Sequence, residues 1–473
     1  METPIISGKS QDKKPSRRQR LINILRYTTI VASAVVFGIY VLNNSAYKPA
    51  DFVYPFITLA AAVGILCAAM PRIVNTLIGC DESAYFNNAE KNRTLRTFIL
   101  ICLGALALHI ITYLLGVFIF KELGDTDDAS WLSRLWQRAW MKSNTDARHY
   151  INIAENWYQV EGDDRLLLVF FPMLPVLIRA FNLIFNNSYV SALFINTIAT
   201  MLTSGMTYKT LIPILGDKKA RIAAFITLLL PGAIFLNSPM TEPLFMLFSV
   251  CGFFFLQKHN YIAAGLFTAL AGFTRSLGVL LAIPIAIVGI GHIVSLIRAR
   301  EPFKAVLFKL IAGLAISTFG TLGYLYINYS LHGDPLKFFE FQWENWHQKA
   351  CPFFDTPRYM VHFLCQELEE KSTTAYSLWI PGLIAVFGSL GIVGAKARKL
   401  PSYYTVYFLC YFAVAIGCTW LLSAVRYLCA ALPVTAAIAH NCDKWWKTAI
   451  IIAMLGIAYA VYMVMYMERL SIY

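Results

Sequence analysis

"LLLVFFPMLPVLIRAFNLIF", residues 166–185, is apolar but for Arg179 and Asn182. By hydropathy alone it is long enough to cross about 30 Å of hydrocarbon. Pro172 and Pro175 interrupt it, however. Proline removes a backbone donor and breaks a helix, which membrane proteins tolerate where the chain packs against protein. Whether this stretch crosses sets the orientation of every later helix. If it crosses, the basic loop "GDKKAR", residues 216–221, falls on the outer side; if it does not, every later loop agrees with the tendency of Lys and Arg to stay inside. The stretch is therefore read as a half-buried or re-entrant element.

Outward from it, the composition sets the class. The 473 residues are 58% hydrophobic and only 14% charged, with a mean hydropathy of +0.57. No soluble core hides that much apolar surface, so the chain reads as an all-α polytopic membrane protein with no separate soluble domain. The net charge of +13 follows topology rather than nucleic acid. Lys9, Lys13, Lys14, Arg17, Arg18 and Arg20 precede the first apolar run, Arg298, Arg300 and Lys304 form a second cluster, and Lys396, Arg398 and Lys399 a third. Each flanks a helix on the side expected to be cytosolic.

Four regions follow: a cytosolic basic tail at 1–21, two extra N-terminal helices with a cytosolic loop at 22–95, a first module at 96–237 carrying a large external loop at 121–188, and the remaining helices at 238–473 with an external loop at 331–374. Spans are expected near 22–42, 52–70, 96–120, 189–212, 219–237, 241–256, 260–274, 277–297, 305–329, 375–395, 402–422, 426–441 and 447–467, about thirteen in all. The first apolar run lacks a small-residue cleavage site and is read as a retained helix. Compact loops and no targeting signal point to a bacterial plasma membrane, with the endoplasmic reticulum as the alternative.

The segment "SNTDARHYINIAENWY", residues 143–158, places Asp146, His149 and Tyr150 at spacings of three and four, on one face of a helix. Parity puts it outside, together with the turns at Ser238–Glu242, Thr274–Gly278 and Ser423–Tyr427. Glu242, Arg275 and Arg426 sit at those turns. A charge near the membrane is costly, about 2.5–3.5 kcal/mol at a helix centre, and those retained tend to face a cavity. A salt bridge holding two helices together is the plainer reading of Glu242 and Arg275.

Other features carry two readings. "ASWLSRLWQRAWM", residues 129–141, sets Trp131, Leu135, Trp136 and Trp140 against Arg134, Gln137 and Arg138. It reads as an interfacial helix, either a simple anchor or one wall of a groove admitting a lipid-linked substrate. Asp125, Asp127 and Asp128 ahead of it suit helix capping better than a metal. Loop 331–374 gathers Phe338, Phe339, Phe341, Trp343 and Trp346 among Glu340, Gln342, Glu344 and His347, an amphipathic helix whose aromatic face packs at the interface or stacks on a sugar ring. His347 and His362 match no usual ligand spacing, so no metal site is expected. Of ten cysteines, Cys351 and Cys365 share this loop, and a disulfide between them is left open.

In order, "DARHYINIA", "FFPMLP", "SPMTEPLF", "TRSLG", "HGDPLKFFEFQWENW" and "VRYLCAALP" resemble the GPI mannosyltransferase II family and its bacterial relatives, within the GT-C glycosyltransferase superfamily. The resemblance spans about residues 140–440. It implies a GT-C fold and an inverting transfer of a sugar, typically mannose, from a polyprenyl-phosphate carrier to an acceptor hydroxyl on a lipid, glycan or protein. The implied general base is Asp146. Implied substrate contacts are His149, Tyr150, Glu242, Arg275, Gln342, Trp346, Arg426 and Tyr427. Three positions depart from the family's habit: Thr145 for tryptophan, Trp157 for glycine and Pro243 for serine.

The chemistry suits these residues. A carboxylate within hydrogen-bond reach can take the acceptor's proton, worth roughly 10²–10⁴ in rate. A lipid phosphate departs already ionised and needs cations rather than an acid, and the guanidinium forks of Arg275 and Arg426 fit phosphate oxygens without a metal or other cofactor. The rivals are a transporter or flippase of a lipid-linked sugar, which would show internal repeats that are not evident, and a scaffold, which has little use for such charges.

Overall fold

The computed structural model describes residues 16–79, 91–119, 145–468 and 470–472. Met1–Ala46 forms a unit by itself. Within it α1, Arg17–Asn43, begins at Ser16, whose side chain accepts from the Gln19 amide at 3.2 Å. The second unit is Tyr47–Tyr473. It opens with α2 (Val53–Leu77) and α3 (Lys91–Ile119). A short helix, α4 (Ala147–Asn156), and a 3₁₀ turn (Asp163–Val169) lead into α5 (Met173–Phe185), α6 (Ser188–Leu215) and α7 (Asp217–Leu229). The antiparallel pair α8 (Glu242–Gln257) and α9 (Tyr261–Thr274) precedes α10 (Ala282–Ala299) and α11 (Lys304–His332). Loop helices α12 (Lys337–Trp346) and α13 (Thr356–Glu369) follow, then α14 (Ile380–Lys396), α15 (Ser402–Ala415), α16 (Ala424–Cys429), α17 (Leu432–His440) and α18 (Trp445–Met467). No strand occurs among the described residues, and an isolated antiparallel bridge joins Ala350 to Cys418.

The chain is an all-helical, multi-pass membrane protein. Eight of the described helices are long and apolar enough to cross a bilayer, and they coincide with eight of the expected spans. The others differ instructively. Residues 163–185 bend by 107° between the 3₁₀ turn and α5, a broken or re-entrant path rather than a straight crossing. Pro172 is the N-cap of α5, and Pro175 falls in its first turn, where a missing N–H has no intrahelical partner to lose. The expected span 219–237 likewise bends, by 72°, between α7 and Pro231–Asn237. The expected span 402–422 ends as a helix at Ala415, and 426–441 is two short helices, α16 and α17, separated at Ala430 and Ala431. Pro433 takes the first turn of the second piece, where proline is compatible with a helix start but not with a continuing one.

Short helices position the site. At 1.5 Å per residue α8 and α9 are only about 24 and 21 Å long, less than the apolar thickness of a bilayer. Glu242 opens α8 and Arg275 caps α9, so the antiparallel pair sinks both groups below the surface at one end. Close packing holds the pair in place. A Cβ on Gly320 of α11 would overlap the Ala269 carbonyl, and one on Gly313 the Tyr261 carbonyl; small residues let such backbones touch. On the other flank, Tyr403, Tyr404, Tyr407 and Tyr411 of α15 are fully buried. Gln257 Nε2 donates to the hydroxyls of Tyr403 and Tyr404, each at 3.3 Å, and Tyr411 donates to the Tyr427 carbonyl at 2.8 Å.

Cys351 and Cys365 are both free thiols, so the disulfide left open by their shared loop does not form. Cys351 Sγ instead lies 3.4 Å from Thr356 Oγ1. Gly320→Val should separate α9 from α11 and cost about 1–3 kcal/mol or more from overpacking, whereas Gly388→Val, at a position with open space around it, should be tolerated. Thermal unfolding of the two variants in detergent, followed by size exclusion, checks this.

Candidate active site

Four ionised side chains from four separate segments meet in a chain. Arg426 Nη1 donates to Asp146 Oδ2 at 2.7 Å, and Arg426 Nε lies 3.0 Å from Glu242 Oε1. Arg275 Nη1 donates to the same Glu242 oxygen. The side chains are nearly closed off: Glu242 is 2% exposed, Arg426 7%, Arg275 12% and Asp146 23%. Tyr427 lies between the two guanidiniums, its ring centre 4.5 Å from Arg275 Cζ and 5.4 Å from Arg426 Cζ. The Phe235 ring backs Arg426 at 5.6 Å.

Helix ends explain the positions. Asp146 is the N-cap of α4 and Glu242 the first residue of α8, where the free amides and the positive end of the helix dipole favour a carboxylate. Arg275 sits at the C-terminal end of α9, which favours a cation for the same reason. Pro243, one of the departures from the resembled family, occupies the first turn of α8, where its lost donor has no cost. The set is not fully satisfied by itself. Glu242 Oε2 and Arg426 Nε are buried without a hydrogen-bond partner among the described residues, beside a small cavity lined by Thr227, Gly232, Met246 and Cys429.

The amphipathic α4 buries Ala147, Tyr150, Ile151, Ile153 and Ala154, which turns Asp146, His149 and Tyr150 inward as their spacing predicts. Tyr150 Oη lies 3.5 Å from Thr241 Oγ1. Burial raises the Tyr150 phenol well beyond its ordinary range, with the Asp146 charge adding to the effect, so it stays neutral. Burial also lowers His149 from the usual 6.5, against the pull of Asp146. The helix stops at Trp157, whose φ of 63° lies on the left-handed side that favours glycine, the residue the resembled family often carries there. The Trp157 ring is held by Arg179, with Cζ 5.4 Å from its centre, and by the edge of Tyr158 at 5.1 Å.

The bend before α5 delivers a residue that sequence reasoning missed. Phe170 stacks on His149 at 5.0 Å, meets Tyr150 edge-on at 5.2 Å and Trp346 at 5.6 Å. Its own carbonyl accepts from Tyr158 Oη at 2.6 Å. Phe170 opens the "FFPMLP" stretch, and the prolines that follow it, Pro172 and Pro175, were the available signal. Trp346 therefore reaches the site through Phe170, on a loop helix docked by the Arg165–Glu344 ion pair. Gln342 is placed differently. Its Nε2 donates to Gln348 Oε1 at 2.6 Å, and Gln348 donates to the Trp420 carbonyl at 2.7 Å. No hydrogen bond joins Gln342 to the four charges among the described residues.

Asp125, Asp127, Asp128 and the tryptophan-bearing stretch 129–141 lie outside the described residues. Among the described residues no three His, Cys, Asp or Glu side chains gather as a metal site would require.

Residues 118–335 match the model of a family described as Mannosyltransferase (PIG-V). The match includes Asp146, His149, Tyr150, Glu242 and Arg275 and ends before Gln342, Trp346, Arg426 and Tyr427. No curated protein matches the chain in sequence. Among solved structures it is similar to ArnT from Cupriavidus metallidurans bound to undecaprenyl phosphate, at 13% identity and a TM-score of 0.44, over 74% of this chain and 63% of that one. It is also similar to the apo Archaeoglobus fulgidus oligosaccharyltransferase, at 14% identity and a TM-score of 0.43, over 80% of this chain and 56% of that one. The chain thus spans less than two thirds of either protein's length.

Glu242→Gln should leave two buried guanidiniums under-compensated and lower stability by about 3–5 kcal/mol, read as a fall in the unfolding midpoint. His149 supplies a pH test. Its folded value lies below 6.5, so the unfolded chain binds the proton more readily and stability is lost as pH falls below that point. The loss of midpoint between pH 7.5 and 5.5 should be smaller in His149→Gln.

Proposed function

We propose that the chain is a membrane glycosyltransferase that passes a sugar, by preference mannose, from a polyprenyl-phosphate carrier to an acceptor hydroxyl with inversion. The observation that carries this reading is the Asp146–Arg426 contact at 2.7 Å, whose carboxylate lies in the segment that matches a mannosyltransferase family model. A base must be aimed before the acceptor arrives. Arg426 supplies the aim, since it is buried, backed by Phe235 and Tyr427, and bound at its other face to Glu242.

In this reading Asp146 Oδ1, the oxygen not given to Arg426, accepts the acceptor's proton as the hydroxyl oxygen attacks the anomeric carbon. The bond from that carbon to the phosphate oxygen breaks on the opposite side, and its electron pair leaves with the lipid phosphate. Stabilisation of that leaving charge by a preplaced cation is worth most where water is excluded. The two arginines then divide their roles. Arg426 is committed to both carboxylates and serves as a positioning residue, which revises its expected contact with phosphate. Arg275 is the more exposed of the two and meets the phosphate. Tyr427, in contact with both guanidiniums, fixes their spacing. Trp346 and His149, linked through Phe170, form an apolar wall suited to the carbon face of a sugar ring, and Gln342 anchors the loop that carries Trp346 instead of touching substrate. The acceptor is a lipid, glycan or protein hydroxyl, and the setting is a multi-pass position in a bacterial plasma membrane with the site on the outer side.

Asp146→Asn keeps the size and one hydrogen-bond acceptor while losing the base. In lipid nanodiscs supplied with polyprenyl-phosphate mannose and a glycolipid acceptor, it should reduce transfer by about 10²–10⁴, with a smaller fall in the unfolding midpoint than Glu242→Gln, since Asp146 is the more exposed carboxylate and Arg426 keeps Glu242. Transfer at the parent rate would remove Asp146 from the mechanism.

A further inference from the structure

The aromatic wall at the site is built from two separate pieces of chain. Phe170 comes from the bend between the 3₁₀ turn and α5, Trp346 from the end of the loop helix α12, and their rings meet at 5.6 Å. Neither piece belongs to a long helix, so each depends on neighbours for its place. Carbonyls at the end of a helical turn have no partner within it, and those shielded from water take one from elsewhere in the protein.

Two phenols supply such partners at the bend. Tyr324 Oη donates to the Leu168 carbonyl at 2.9 Å, and Tyr158 Oη donates to the Phe170 carbonyl at 2.6 Å. Bonds to carbonyls two residues apart fix the path of the backbone between them, and with it the direction of the Phe170 ring. The Tyr324 ring also stacks on Phe171 at 3.9 Å. One turn further along α11, Asn328 reaches the other piece. Its Oδ1 accepts from the Phe338 amide at 3.2 Å, while its Nδ2 donates to the Tyr324 carbonyl at 3.0 Å. Phe338 is the second residue of α12, whose N-cap Leu336 offers no side-chain acceptor, so Asn328 satisfies that free amide from a neighbouring helix. Tyr324 and Asn328 are both buried, and at a spacing of four they share one face of α11. A single helix face thus sets the distance between the two halves of the wall.

We propose that Tyr324 is a positioning residue for the sugar of the donor: its hydroxyl, with Asn328 one turn on, holds Phe170 and Trp346 in register. This rests on the functional reading above, in which that wall meets the sugar. Tyr324 acts through the wall and not on substrate directly. Stacking depends on where the rings stand, so a wall allowed to shift loses affinity for the sugar, whereas the lipid phosphate, met by Arg275, is held as before.

The test uses the full chain in nanodiscs, with polyprenyl-phosphate mannose and bare polyprenyl phosphate as separate probes, read by native mass spectrometry. Tyr324→Phe keeps the ring against Phe171 and loses the bond to Leu168. It should weaken binding of the mannose-bearing lipid about fivefold and leave bare polyprenyl phosphate at parent affinity. The same change at Tyr326, an exposed residue of the same helix, should alter neither. Equal weakening of both lipids by Tyr324→Phe would mark a merely structural role and overturn the inference, as would parent-level binding of both. Trp346→Leu separates that failure from failure of the underlying reading. Selective loss of the mannose-bearing lipid in Trp346→Leu but not in Tyr324→Phe overturns the inference and leaves the transferase reading intact. Parent-level binding of that lipid by Trp346→Leu would remove the wall from sugar recognition and overturn both.

Discussion

The structure turns on one carboxylate holding two guanidiniums in an apolar surrounding. Glu242 Oε1 meets both Arg275 and Arg426, and Arg426 passes the connection on to Asp146. Removing charges from water is expensive, and a buried ion pair is weak evidence of stability for its own sake. Four such groups closing to neutrality make better sense as a preorganised site. The fold contributes by placing both carboxylates at helix N-termini and Arg275 at a helix C-terminus, so the backbone lowers the cost of each charge where it sits.

Irregular elements, rather than the long spans, bring these groups together. The 107° bend ahead of α5 swings Phe170 under His149 and beside Trp346. Breaks in the expected spans leave α16 as a short independent piece, which lets Arg426 and Tyr427 face inward. Backbone that is not a continuous helix is acceptable at membrane depth only where protein covers it. Here the tyrosine column of α15 does so, with Tyr411 bound to the Tyr427 carbonyl. The long helices provide the frame, and the small-residue contact of α9 with α11 keeps that frame tight at the site end.

Much of this was legible in the residues. Hydropathy marked eight spans within a few residues, and the charge rule identified 166–185 as an element that does not run straight through. Charged residues in an apolar chain are conspicuous, so Asp146, Glu242, Arg275 and Arg426 could be picked out before their contacts were known. Their partners could not. Hydropathy reports that a charge is costly, not which charge neutralises it, and Arg426 appeared free for phosphate when it is bound to two carboxylates. Phe170 was hidden for a related reason: an aromatic residue in an apolar run looks like core until the bend is known. Gln342 shared a loop with Trp346 but turned toward Gln348, a choice set by the packing of a connection over seventy residues away, at Trp420.

In the proposed mechanism two arginines divide the labour, one aiming the base and one meeting the phosphate. An electron cryomicroscopy reconstruction in nanodiscs loaded with polyprenyl phosphate tests that division directly. The expected result keeps Arg426 between Asp146 and Glu242, with Asp146 Oδ2 within hydrogen-bond distance of Arg426, and places phosphate density against Arg275. Density showing Arg426 turned onto the phosphate, with Asp146 released and distant, would contradict it.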